Sequence, residues 1–159
     1  MQAIDRILLG TDFSPGSHRA LEFAGEMARR LDAEVVLLHV NEAPEMAPPA
    51  SDAAQRRQRA RGELDRSRRQ LEEAQVRVRV LLRPGDPAGE ILRMATVHDA
   101  RVIVVGTHGA TAMSALLLGS VADRVVRHAD VPVLVIPDGD RPSEVSGRRG
   151  TTPRRASVA

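Results

Sequence analysis

The chain has 159 residues, enough for one domain with a sizeable core, and its 42% apolar and 28% charged residues are typical of a globular, water-soluble protein. It has no cysteine and no lysine, all 23 basic residues being arginine, which excludes disulfides, thiolate nucleophiles, cysteine metal clusters, Schiff-base chemistry and lysine-dependent phosphate loops. The formal net charge is only +2; the calculated pI of 10.7 arises because no Lys, Tyr or Cys titrates between histidine and arginine, so it says little about partners.

No apolar run approaches the roughly 20 residues of a membrane-spanning helix. The first residues lead directly into a strand-like run without a basic and apolar signal segment, so a cytoplasmic location is expected. Phe13 and Phe23 are the only aromatics besides histidine, which leaves no stacking platform for single-stranded nucleic acid, and no nucleic-acid partner is expected.

Residues 4–10 (IDRILLG) read as a first strand. Ser14 then supplies an N-cap and Pro15 a first helical residue for a helix whose apolar stripe is Ala20, Leu21, Ala24, Met27, Ala28 and Leu31. Residues 35–40 (VVLLHV) form a continuous apolar strand, as expected where both faces are covered. A proline-rich connection over 41–52 precedes a long charged helix over 53–74, in which seven arginines are interleaved with Glu63, Asp65, Glu72 and Glu73. That interleaving reads as a solvated helix face.

Val76, Val78 and Val80 alternate with Arg77 and Arg79, the pattern of a half-wet edge strand. Asp86 and Pro87 open a helix over 88–97, and residues 101–106 (RVIVVG) form another apolar strand. After residue 120 a stripe of Val121, Ala122, Val125, Val126 and Ala129 marks the last helix, and residues 131–136 (VPVLVI, beginning at Val131) the last strand. Five strands alternating with four helices predict an α/β fold: a doubly wound, Rossmann-like parallel sheet of order 3-2-1-4-5. The switch point then falls between strands one and four, so that Asp12 and the Gly106 turn flank one crevice. The last strand is an apolar edge, and antiparallel pairing of 131–136 with its twin predicts a homodimer.

Functionally the richest stretch is Val105-Gly106-Thr107-His108-Gly109, followed after nine residues by Gly119-Ser120-Val121. The glycines allow a sharp turn with exposed amides, and Gly119-Ser120 sets unpaired N–H groups at a helix N-terminus, where the macrodipole favours an anion. This is a phosphate-holding pattern distinct from the Walker loop, since Ser120 is followed by Val121 and no lysine is present. His108 is isolated from any second histidine at ligand spacing, and His39, inside an apolar strand, reads as a hydrogen-bonded core residue.

Residues 138–159 are rich in Gly, Ser, Thr, Pro and Arg and cannot build a core; they read as a disordered basic tail after a domain over 1–137. Arg154-Arg155-Ala156-Ser157 resembles a site for basophilic kinases, although so short a pattern is more simply an accident of the tail.

The spacing Gly106-x-x-Gly109, nine residues, Gly119-Ser120, with Gly10-Thr11-Asp12-Phe13-Ser14 after the first strand and His39-Val40 closing the second, resembles the universal stress protein family, in its branch with the G-2x-G-9x-G-(S/T) motif. The resemblance covers residues 1–137. It implies a usually dimeric domain that binds ATP, with Mg²⁺ beside the phosphates, and acts in a stress response through an unidentified downstream protein. By the same resemblance Gly10, Thr11 and Asp12 hold the nucleoside and Val40 meets adenine through its main chain. Val105, Gly106 and Gly109 form the turn beside the phosphates, and Gly119, Ser120 and Val121 the phosphate-binding helix start.

The spacer 110–118 departs from this pattern in having no arginine, so polyphosphate charge falls to backbone amides, the helix terminus, Mg²⁺ and Arg124 or Arg127. Nothing clearly orients water or stabilises a transferring phosphoryl group, which favours a non-catalytic, nucleotide-responsive regulatory module. The alternatives are a slow ATPase and a dimeric scaffold without nucleotide.

Overall fold

A computed structural model of the protein describes residues 3–42, 50–107 and 118–137. The order of elements is β1 (Arg6–Gly10), α1 (Pro15–Leu31), β2 (Glu34–Asn41), α2 (Ala50–Glu73), β3 (Arg77–Pro84), α3 (Pro87–Val97), β4 (Val102–Gly106), α4 (Ser120–His128) and β5 (Val133–Ile136). All strand pairings are parallel and the sheet order is β3-β2-β1-β4-β5, as the alternation of elements predicts.

The central strands owe their position to residues that are apolar on both faces. Ile7, Leu9, Val35, Leu37, Val102 and Val104 pack against α1 and α2, while Leu8, Val36, Leu38, Ile103 and Val105 pack against α3 and α4. On β3 the side chains of Arg77 and Arg79 are exposed and Val78 and Val80 half-buried, which confirms an edge. Arg79 reaches across to Glu34 at 3.3 Å on β2.

Capping residues set the helix starts. Ser14 accepts the Ser17 amide at 3.3 Å ahead of Pro15, and Asp86 accepts the Gly89 amide at 2.8 Å ahead of Pro87. α1 ends on Asp32 in the left-handed region, φ 53°, which a short polar side chain tolerates. α2 is held by a narrow stripe of Ala60, Leu64, Ser67 and Leu71. At Gly25 of α1 an added Cβ would stand 2.8 Å from Leu71 Cδ2, so the two helices meet closely there.

Three element starts differ from the sequence reading by two residues or more. β1 starts at Arg6 instead of residue 4, and α2 begins three residues earlier, at Ala50. β5 is shortened to Val133–Ile136 because Pro132 has no N–H for the ladder, though its carbonyl accepts from Ile103 N at 3.0 Å. Its four side chains are half-buried, Val133 and Val135 towards α3 and α4, Leu134 and Ile136 towards α1. The tail from residue 138, with Ser157, lies outside the described residues.

Candidate functional site

The switch point lies where β1 and β4 run side by side and their helices leave to opposite faces, α1 with α2 and α4 with α3. In an open parallel sheet this opens a crevice at the strands' carboxyl ends.

The β1 wall is Gly10 to Ser17. Gly10 is buried where an added Cβ would lie 3.0 Å from Ile91 Cδ1 and 3.3 Å from Val105 Cγ1, so the strand ends tightly against β4 and α3. Thr11 N donates to Leu38 O at 2.9 Å, and Thr11 Oγ1 accepts from Phe13 N at 3.1 Å. Asp12 is exposed at the rim but strongly fixed. Its Oδ1 accepts from Ser14 N at 3.1 Å, from Ser14 Oγ at 2.6 Å and from Ser17 Oγ, while its own N–H donates to Ser17 Oγ at 3.1 Å. The carboxylate thus belongs to the capping network of α1 as well as to the rim of the crevice.

Phe13 and His39, the latter expected as a hydrogen-bonded core residue, complete this wall. Phe13 has φ 64°, and its ring packs on His39 with centroids 4.3 Å apart. His39 Nδ1 lies 2.8 Å from Thr11 O, so in the tautomer that protonates Nδ1 it donates to that carbonyl. The expected hydrogen bond is present, and it runs to the Thr11–Asp12 turn. Val40 follows at the end of β2, half-buried against the α3 and α4 side.

The second wall is the β4 to α4 connection. Val105 is buried, and at Gly106 a Cβ would stand 3.1 Å from Gly16 C, 3.2 Å from Gly16 O and 3.3 Å from Ser17 N. Only glycine lets the start of α1 press this closely on the end of β4. Thr107 donates to Ile136 O through N at 2.9 Å and through Oγ1 at 3.2 Å. Gly119 N donates to Thr107 O at 2.8 Å, which brings the chain back to β4 before α4 starts. Gly109, His108 and residues 110–117 lie outside the described residues.

α4 starts differently from α1 and α3. Its N-cap is Gly119, with φ −61° and ψ 151°, and no side chain caps the first turn. Ser120 is exposed and Val121 half-buried at this start. The first-turn amides and the positive end of the helix dipole are therefore offered to an anionic group.

Arg124 and Arg127, the cations suggested for polyphosphate, already have partners. Arg124 binds Asp86 at 2.7 Å and Arg127 binds Asp123 at 2.9 Å. The Arg124 guanidinium, followed by the Gly89 amide, holds the Asp86 carboxyl below the usual carboxylate range, and Arg127 does the same for Asp123. Among the described residues no group of three or more His, Asp or Glu could hold a metal ion, and no helix is long and apolar enough to cross a membrane.

A doubly wound parallel sheet with a glycine-lined crevice at its switch point and an uncapped helix start beside it defines a Rossmann-like α/β domain. The model of the universal stress protein family matches residues 3–137, and the chain belongs to that family. Universal stress protein MJ0531 of Methanocaldococcus jannaschii is 34% identical over 137 residues, covering 82% of this chain and 81% of its own length. A universal stress protein of Thermus aquaticus is 34% identical over 132 residues, 82% of this chain and 96% of its own. Among solved structures, MJ0577 of M. jannaschii, the subject of a structure-based assignment of biochemical function, superposes with a TM-score of 0.79 at 27% identity, covering 88% of this chain and all of its own. Two universal stress proteins solved with cAMP and with dAMP share the fold at 24% identity, with a TM-score of 0.65 each.

Proposed function

We propose that the protein is a nucleotide-responsive regulatory module of the stress response that binds ATP, with Mg²⁺, without turning it over at a significant rate. The observation that carries this reading is the uncapped start of α4, set against the fixed Asp12 across the switch point. A phosphate at Gly119, Ser120 and Val121 would take up the first-turn amides, and the Ser120 hydroxyl suits a phosphate oxygen or a metal-bound water. Gly10, Thr11 and Asp12 would hold the nucleoside, Val40 the base through its main chain, and Val105, Gly106 and Gly109 the turn beside the phosphates. The same fold carries cAMP and dAMP in the two relatives named above, which supports a nucleotide at the level of the fold.

The absence of a metal-binding cluster among the described residues suits a metal carried chiefly by phosphate oxygens and water. Arg124 and Arg127 stand in half-exposed pairs with Asp86 and Asp123, so neither is held ready for a transferring phosphoryl group, which favours binding over turnover. The module acts in the cytoplasm as a homodimer joined along residues 131–136, where β5 offers a half-buried apolar edge, and residues 138–159 form a tail outside the nucleotide domain.

Without Trp, Tyr or Cys the protein is almost transparent at 280 nm, so nucleotide retained through purification would dominate its ultraviolet spectrum. A 260 nm band from released adenine nucleotide, or a calorimetric response to Mg-ATP, is expected; native protein with neither overturns the reading. Light scattering at micromolar concentration is expected to give the mass of a dimer, and a monomer removes the proposed edge pairing.

A further inference from the structure

Of the eighteen arginines among the described residues, thirteen lie within ion-pair distance of a carboxylate. The exceptions are Arg19 and a group that stands together on α2, Arg56, Arg57, Arg59 and Arg61, all exposed. The interleaving of charge expected along this helix is real only in its second half. There Arg66 meets Glu63 at 2.7 Å, Arg68 meets Asp65 at 2.7 Å and Glu72 at 2.9 Å, and Arg69 meets Asp65 at 2.7 Å. Residues 53–62 (AAQRRQRARG) contain no acid at all.

Helical geometry sharpens the contrast. Arg56 and Arg57 lie four and three residues before Ala60, on the backward extension of the buried stripe of Ala60, Leu64, Ser67 and Leu71, yet both are exposed. Arg59 and Arg61 fall to either side, so the four guanidinium groups surround about 200° of the helix over roughly 7.5 Å of its axis. Because α2 follows β2 and runs back along the parallel sheet, this half of the helix lies at the carboxyl edge of the strands, the same rim as the crevice.

We infer that this cluster docks a short acidic segment of a partner protein. Four like charges held within two turns repel one another until an anion arrives, and a guanidinium donates two parallel hydrogen bonds to a carboxylate. The size of the patch decides the class of anion. Glu63 and Asp65 follow immediately, so a long polyanion such as a duplex, with a charge about every 1.7 Å, would extend over acids as well as arginines. Residues 53–62 also lack any large apolar side chain that could enter a lipid surface. A segment carrying a few carboxylates within one or two helical turns fits the patch alone. The inference stands apart from the nucleotide reading, since it uses none of the crevice residues.

The test is fluorescence anisotropy on the full chain with a labelled hexaglutamate peptide, beside a labelled 20-base-pair duplex and phosphatidylserine vesicles. The variant Arg56→Gln/Arg57→Gln/Arg59→Gln/Arg61→Gln keeps good helix formers throughout, and Arg29→Gln/Arg30→Gln/Arg77→Gln/Arg93→Gln, four exposed arginines outside the cluster, serves as the charge-matched control. Peptide binding that weakens between 50 and 300 mM salt is expected, about tenfold weaker in the quadruple variant and within twofold of the parent in the control, with circular dichroism unchanged. Equal affinity in the quadruple variant and the parent overturns the inference. So does an equal loss in the control, or preference for the duplex or the vesicles over the peptide.

Discussion

α1 and α4 leave the same switch point on opposite faces of the sheet, and they begin in opposite ways. At α1 side chains close the start: Ser14 caps Ser17 N, and Asp12 Oδ1 gathers Ser14 N, Ser14 Oγ and Ser17 Oγ. At α4 the cap is a glycine and the first turn receives no side chain. Away from the crevice α3 follows the rule of α1, with Asp86 as cap. The comparison teaches that an uncapped helix start is not the habit of this chain, and that its placement beside the crevice is what makes α4 the anion wall and α1 the rigid wall.

The largest effect should come from making α4 resemble α1. Gly119→Asp supplies a capping carboxylate where phosphate is proposed to sit, and Mg-ATP affinity measured by calorimetry should fall by more than about 100-fold. Retained affinity would remove Gly119 from the phosphate site. Gly106→Ala should strain the contact between the walls, because the new Cβ meets the Gly16 backbone at 3.1 Å. A loss of about 1–3 kcal/mol in urea unfolding is expected, and an unchanged midpoint would show that α1 can retreat without cost.

Ser14→Ala takes the cap from α1 and one donor from Asp12, at an expected cost of about 1 kcal/mol. The same substitution should weaken nucleotide binding if rigidity of Asp12 matters at the crevice. A stability loss with unchanged affinity would separate the two walls. Asp86 offers a pH readout, since its carboxyl is held low in the folded state by Arg124 and then by Gly89 N–H. Its contribution is present above the unfolded carboxyl value of about 3.9 and is lost as pH falls through the lower folded value. Asp86→Asn should therefore flatten the acid limb of the stability curve, by a small amount because the pair is half exposed and screened by salt. The smallest effect is opposite in sign: Gly119→Asp should raise apo-protein stability by a few tenths of a kcal/mol, as a better cap does.

Much of this architecture is written locally. The strand order follows from Val78 and Val80 alternating with Arg77 and Arg79 while β1, β2 and β4 are apolar throughout, and two helix starts are announced by Ser14-Pro15 and Asp86-Pro87. What the sequence hides are pairings between distant residues. Arg124 reaches Asp86 across 38 residues and His39 reaches Thr11 O across 28, and neither partner is marked by its neighbours. Asp12 shows the same limit, because its place after β1 predicts the crevice and not its bonds to Ser14 and Ser17. The charge of α2 misled through averaging: taken as one helix its acids look interleaved with its seven arginines, and only the ion pairs show that one half is neutralised and the other is not.

The hydrogen bond from Gly119 N to Thr107 O has a consequence for chain length. Thr107 O and Gly119 N, which bound the connection from β4 to α4, stand 2.8 Å apart, so the ends of that connection are fixed on the fold. Loop-closure entropy grows only logarithmically, and doubling such a loop costs about 0.6 kcal/mol. Length is therefore nearly free for folding while it remains critical for where a phosphate is met. Relatives or engineered variants with a longer or shorter segment should keep the sheet and its melting behaviour, and the spacing between Gly109 and Gly119 can be tuned for ligand choice without redesigning the domain that carries it.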